Sequence, residues 1–434
     1  MGGMNSSPSF SCASGADRLG RSARRSMLFA AALFLGLSLD LRGQDSDSFT
    51  YTSDGKAITI TSYTGAGGAV TIPATLNGLP VMSIGAVAFA DRKDLTQVIL
   101  PDGITSIGSM AFAGCTGLIK ISLGQSLLYL DDGLFWGCYA LEGLTIPDSV
   151  QMVSVDIRPW MPEITVFKHC TGLRHVHLGR AVLQDYGSWS QAFGTCNALT
   201  SITVADDHPA CRSIEGVLFN RDTTSLLFVP RGRAGRYEIP DGVASVAVEA
   251  LANCRGLSEL ILPGSLRSIA GGAFSGCAGL TIISIPNGVM SIGGGAFFNC
   301  GGLTRVGFMG DPPTAEFPIF GTSGWDSDGT WIVPTVLYLP GTTAWGTSFS
   351  DAPTAIWLPT IGRPTSVVNQ EDGSFGFPVE WAPQRLVTVE ACSDLAQRNW
   401  LPVGNLTLDA GGTAQFSDPD SASQPTRLYR LRTP

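Results

Sequence analysis

Charge is scarce in this 434-residue chain. Asp, Glu, Lys and Arg make up 15% of it, against roughly a quarter in an average soluble domain. The balance is acidic, with a net charge of -9, so the basic footprint that nucleic-acid binding needs is missing. No C-x-x-C, H-E-x-x-H, P-loop or G-x-S-x-G occurs, which removes the usual zinc, metalloprotease, phosphate-cradle and serine-nucleophile signatures. After the first 40 residues no apolar run reaches the roughly 20 residues that a spanning helix requires. With 44% hydrophobic residues the chain is equally far from a disordered linker.

What the chain does have is repetition. Val98–Lys120 and Ile121–Gly143 align, as do Tyr237–Glu259, Leu260–Ile282 and Ile283–Arg305. Self-similarity with a 23-residue period marks a solenoid, in which each repeat touches only its neighbours. In Ile283–Arg305, Ile283 and Ile285 alternate with Ser284 as in a strand with one buried face. Pro286 ends that strand because it has no N–H for a ladder, and Asn287-Gly288 turns the chain. Val289 and Ile292 return to the core, and Ala296-Phe297 predicts a tight helical or 3₁₀ segment on the opposite wall. The L-x-x-I-x-L signature recurs at Leu95/Val98/Leu100, Leu118/Ile121/Leu123, Leu173/Val176/Leu178 and Leu303/Val306/Phe308.

One position of the repeat holds Cys115, Cys138, Cys170, Cys196, Cys254, Cys277 and Cys300. Stacked neighbours carry parallel Cβ bonds, a poor geometry for a disulfide. The set therefore reads as a column of small buried thiols rather than a bridge framework or a metal string.

Recurrence of I-P, then I-x-x-I, then A-F-x-x-C, as in Leu280–Cys300, resembles the BspA-type leucine-rich repeats, also called the Treponema pallidum family. The resemblance covers about Val70 to Phe308. It implies a β-rich, right-handed leucine-rich repeat array in an exported bacterial protein, with a role in adhesion or in recognising extracellular protein or glycan.

The period breaks at 151–166 and 205–236. The second insertion contains Gly216–Asn220, a polar turn and Ser225–Pro230, a hairpin signature. Near the first gather Trp136, Tyr139, Trp160, Tyr186 and Trp189, either a binding patch or a small core under the inserted loop. Trp136 takes a position held elsewhere by Ala113, Ala252 and Ser275, which aims it outward or into the insertion. His175 and His177 stand two apart on a strand and share its exposed face. Their lateral neighbours Gly143, Thr145, Ser201 and Thr203 are poor ligands, and a zinc site wants three or four. No metal or cofactor is expected; the pair is read as a solvated face and a tentative ligand contact. Asp131-Asp132 falls at a repeat turn and reads as exposed acid, not as an acid/base pair.

Residues 1–43 read as a signal peptide, with Arg21, Arg24 and Arg25 before the apolar Ser26–Leu39. Gly43 is the best cleavage candidate, although Leu41 at -3 is unfavourable; an uncleaved anchor is the alternative. Residues 44–69 and 310–363 are expected to cap the array 70–309, and 364–434 to form a small β-sandwich-like module. Its V-E-A-x-x-D-L (Val389–Leu395) and closing Y-R-L-R (Tyr429–Arg432) resemble C-terminal modules of secreted repeat proteins. The expectation is a non-enzymatic, secreted or surface binding protein. The alternatives are a scaffold or accessory protein on extracellular polysaccharide, for which only Asp156 and Glu163 offer carboxylates in the first insertion, and a structural envelope or matrix component.

Overall fold

The computed structural model describes residues 43–44, 48–153, 165–182, 189–321, 333–361, 375–393, 399–421 and 427–433. The signal segment before Gly43, Trp160, Tyr186, Asp156 and Glu163 lie outside these. The described chain is nearly all strand and turn, with one short helix, Trp189–Phe193.

The L-x-x-I-x-L segments become parallel strands: β1 (Gly68–Thr71), β2 (Leu95–Ile99), β3 (Lys120–Ser122), β4 (Gly143–Ile146), β5 (His175–Leu178) and β6 (Ser201–Val204), which form one 6-stranded sheet. Register follows the repeat: Val98 pairs with Ile121, Leu144 with Val176, and Val176 with Ile202. The same wall continues as β7 (Gly235–Glu238) with β8 (Leu257–Ile261), then β9 (Ile282–Ile285), β10 (Arg305–Phe308) and β11 (Thr335–Tyr338). The alternation puts Val98, Ile121, Val176, Ile283 and Val306 inside.

A second ladder runs along another side. Ser83 pairs with Ser106, and Ser225, Ser245, Ser268, Ser291 and Thr314 pair in succession. All of these strands except the last, whose Ala315 is exposed, send the next residue, such as Ile107, Val246 or Ile292, into the core.

The third side corrects the helical expectation at Ala296-Phe297. Most described repeats make turns there, the short helix Trp189–Phe193 around Ala192-Phe193 being the exception, and Phe297–Phe298 pairs with Phe320–Gly321 as a short parallel strand. The reason is backbone conformation. Val87, Met110 and Glu249 ahead of the Ala, and His169, Asn253 and Asn299 ahead of the Cys, all have φ between 54° and 64°. A left-handed residue every few positions stops a helix from propagating. The amides bond across to the next coil instead, as Phe112 N–H does to Leu134 O at 3.1 Å and Phe274 N–H to Ala296 O at 2.8 Å. Phe89, Phe112, Phe135, Phe167 and Phe193 then stack at 5.1–6.0 Å between centroids, within the favoured range for offset rings.

The 205–236 insertion is not an ornament on the surface. Val217–Asn220 and Ser225–Phe228 form the expected antiparallel hairpin, and it crosses the interior. Leu218 and Phe228 face the preceding core, while Val217, Phe219 and Leu226 face the following one. The interior is thereby divided into two apolar bodies with a two-faced septum between them.

Aromatic side chains pack near both ends of the array. At the start, Phe49–Ser53 and Ile58–Tyr63 pair, and Tyr63 lies 5.4 Å from Phe89. At the far end Trp345 lies 5.1 Å from Phe308 and donates its Nε1–H to Gly310 O at 3.2 Å. Beyond it come β12 (Phe375–Glu380), β13 (Leu386–Cys392), β14 (Leu401–Thr407), β15 (Thr413–Asp418) and β16 (Leu428–Arg432). They form two antiparallel sheets, Thr360–Ile361 joining β12 and β15 in one, and β14, β13 and β16 making the other.

Candidate functional site

The cysteine column lies inside the stack. All of its thiols are free and buried. Each Sγ–H donates to a backbone carbonyl of the preceding coil: Cys115 to Phe89 at 3.0 Å, Cys138 to Phe112 at 3.2 Å, Cys170 to Phe135 at 3.1 Å, Cys277 to Leu251 and Cys300 to Phe274 at 3.1 Å. Cys196 and Cys254 make longer contacts, at 3.5 and 3.6 Å. Burial pushes the thiols of Cys115, Cys196 and Cys254 up to about 12 and that of Cys300 to about 11, and raises those of Cys138, Cys170 and Cys277 strongly. Since the thiolate is the reactive and metal-binding form, this column is chemically quiet.

With the interior committed to packing, the outer face of β2–β6 is where chemistry remains exposed. Two rows point outward. Gln97, Lys120, Gly143, His175 and Ser201 are in register along one; Ile99, Ser122, Thr145, His177 and Thr203 along the next. Gly143 opens a notch between Lys120 and His175, because a Cβ there would have only His175 O within 4 Å, at 3.6 Å. His177 Nδ1 lies 3.0 Å from Thr203 Oγ1, so its ring is oriented, while His175 beside it is exposed. Glu142 and Arg174, also exposed, border the rows. The result is a broad, mixed-charge polar face. Among the described residues no cluster of His, Cys, Asp and Glu could hold a metal ion, and no helix is long and apolar enough to cross a membrane.

The aromatic flank comes out divided. Tyr139 is 51% exposed and Trp136 36%, with Trp136 edge-on to His169 at 6.3 Å. Trp189 is only 6% exposed and stacks on Phe193; it belongs to the core beneath the turn and not to a surface patch. Burial of Trp189, Ser190, Ala192 and Phe193 in its helix, with only Gln191 exposed, is what the isolated sequence could not show. Sequence reading also passed over His208. That ring is fully buried, with Nε2 2.8 Å from Val182 O and Nδ1 accepting from Cys211 N–H at 3.1 Å and Ala210 N–H at 3.3 Å. Those partners identify the neutral Nε2–H tautomer, a pin at the root of the septum and not a ligand. In the tail, the two motifs meet each other: Glu390 lies opposite Arg430 in register and is held by Arg430 at 2.6 Å and Arg432 at 3.3 Å. Asp418, also buried, takes Arg427 at 2.7 Å and the Tyr429 hydroxyl at 2.9 Å. These charges are absorbed by folding.

The model of the BspA-type leucine-rich repeat region matches residues 82–224 and 234–316 in 6 copies, over half the chain. The chain belongs to the BspA-type leucine-rich repeat family. Solved structures similar to this BspA-type chain include a leucine-rich repeat protein of T. pallidum, at 27% identity over 60% of this chain and 91% of that one, TM-score 0.35. A leucine-rich cell surface protein from Faecalibacterium prausnitzii matches at 24% identity over 67% and 97%, TM-score 0.36. The pneumococcal vaccine antigen PcpA matches at 16% over 70% and 95%, TM-score 0.44. No curated protein matches the chain. In the BspA-type array described above, the I-P and A-F-x-x-C positions are those that build its core, whereas the outward rows of β2–β6 vary from coil to coil.

Proposed function

We propose that this chain is an exported, non-enzymatic binding protein that recognises an extracellular protein or glycan through the outer wall of β2–β6, flanked by Trp136 and Tyr139. The observation that carries this reading is the outward double row from Gln97 to Ser201 and from Ile99 to Thr203, with Ile99, Lys120, Thr145, His175 and Thr203 exposed, beside an interior packed with apolar side chains. Its mixed Lys120, Glu142 and Arg174 charges favour a protein over a glycan, because oriented charges of both signs select a complementary polar surface. A glycan platform would rest on stacked aromatic rings, and burial of Trp189 shortens that platform. In this reading residues 1–43 are the export signal, 44–69 and 310–363 caps, 70–309 a right-handed array of 23-residue coils, and 364–434 a small sandwich-like module.

The test is a binding screen of the chain from Gln44 onward against matrix proteins and glycans. His175→Ala/His177→Ala is run beside Trp136→Ala/Tyr139→Ala. Loss of binding in the histidine pair supports the wall; loss in the aromatic pair alone moves the contact to the flank. Unchanged binding in both pairs, or turnover of any polysaccharide, sinks the reading.

A further inference from the structure

Part of the outward wall of the later coils is covered. On β10, Val306 and Phe308 point inward, so Gly307 faces outward, yet Gly307 is buried. A Cβ on it would lie 2.1 Å from Cζ3 and 2.5 Å from Cη2 of Trp357. The indole lies directly on the wall, and only glycine admits it there. Trp357 is tied in turn to the tail, because its carbonyl accepts the Trp381 Nε1–H at 2.7 Å. The tail's apolar core, built on Phe377, Val389 and Phe416, closes over Leu339 from the array's end, with Met309 and Trp357 packed against it. Further back, a Cβ on Gly411 would lie 3.3 Å from Glu259 Oε1, so the turn between β14 and β15 reaches β8. These contacts meet the wall at β8, at β10 and just beyond β11, while Ile282 on β9 keeps 45% of its surface exposed.

We propose that the C-terminal strands are an intramolecular cover for the later part of the wall. Trp357 seated on Gly307 and the Asp409–Gly412 turn beside Glu259 fix the tail in place, and β2–β6 is left as the uncovered stretch. This rests on the reading that the wall is the binding surface and adds which part of it a ligand meets. It also gives the tail a role that a module hung on a linker would not have.

Hydroxyl-radical footprinting of the full chain tests the cover without any ligand. Met309, packed against the tail, should label severalfold more slowly than Met290, which is 64% exposed. Gly307→Val displaces the indole and should raise Met309 labelling severalfold while Tyr139 stays unchanged. Trp381→Phe removes the indole N–H donor together with part of a buried ring and should give a smaller rise in the same direction. If Gly307→Val also raises Tyr139, the array itself has loosened and Trp381→Phe decides alone. Met309 labelling as fast as Met290 in the wild type, or indifferent to Trp381→Phe, overturns the cover. Such a result would leave binding by the wall standing, and a failed ligand screen would leave the cover standing.

Discussion

Single residues in this chain are selected mainly by where the coil must bend and what it must bury. Val87 shows the tension. It has φ of 56° and is 46% exposed, while the matching positions carry Gly133, Gly272 and Gly295 at φ of 61–66°. A β-branched residue is costly in that region. Val87→Gly is expected to raise stability by about 0.5–1 kcal/mol, the left-handed penalty outweighing the added entropy of glycine in the unfolded chain; urea midpoints check it. The thiol column predicts an alkaline weakness. An unfolded Cys ionises near pH 8.5, whereas the folded column holds its protons until about 11 to 12. The folded state therefore binds more protons in that window. Stability is full below the unfolded value and falls as pH climbs toward the folded one. Urea midpoints taken from neutral pH upward should drop, and Cys277→Ala should make the fall shallower. The alignment of these cysteines was legible from the sequence. Their carbonyl acceptors one coil back were not, because that bond exists only after the coils stack.

Among the elements, the hairpin at Val217–Phe228 has the widest consequences. Its two strands and polar turn were readable from composition, but not its place inside the array. Alternate residues on one strand bury against different cores, Leu218 with the earlier coils and Phe219 with the later. Phe228→Ala and Phe219→Ala should each cost about 3–5 kcal/mol, yet with opposite spatial footprints. Hydrogen exchange should speed up in β5 and β6 for the first and in β7 and β8 for the second, since repeat stability is a near-neighbour property. Equal acceleration on both sides in either variant would show that the septum does not separate the cores. The turns of the third side teach a related lesson. An Ala-Phe pair followed by Cys and Leu at helical spacing looks like a helix, and is one at Trp189–Phe193, but in other coils residues between them such as Gly114, Asn253 and Asn299 take left-handed conformations and hand their hydrogen bonds to the next coil.

For the molecule as a whole, the ligand prediction turns on which wall stays open. If the β2–β6 rows are the contact, His175→Ala/His177→Ala should weaken the screened complex about tenfold or more, equivalent to about 1.4 kcal/mol, measured by titration with whichever binder the screen returns. A partner seated on β8–β11 would not feel that change. The family, the parallel strand wall and the buried thiols were legible in the sequence alone, because a repeat states the same local chemistry many times and stacking leaves it one consistent solution. Tertiary structure decided the rest: that Trp189 is core, that His208 is a pin, that the hairpin is a septum and that Trp357 lies on Gly307. Each of these depends on a contact between segments far apart in the chain, and no local pattern encodes which distant surface a side chain will meet.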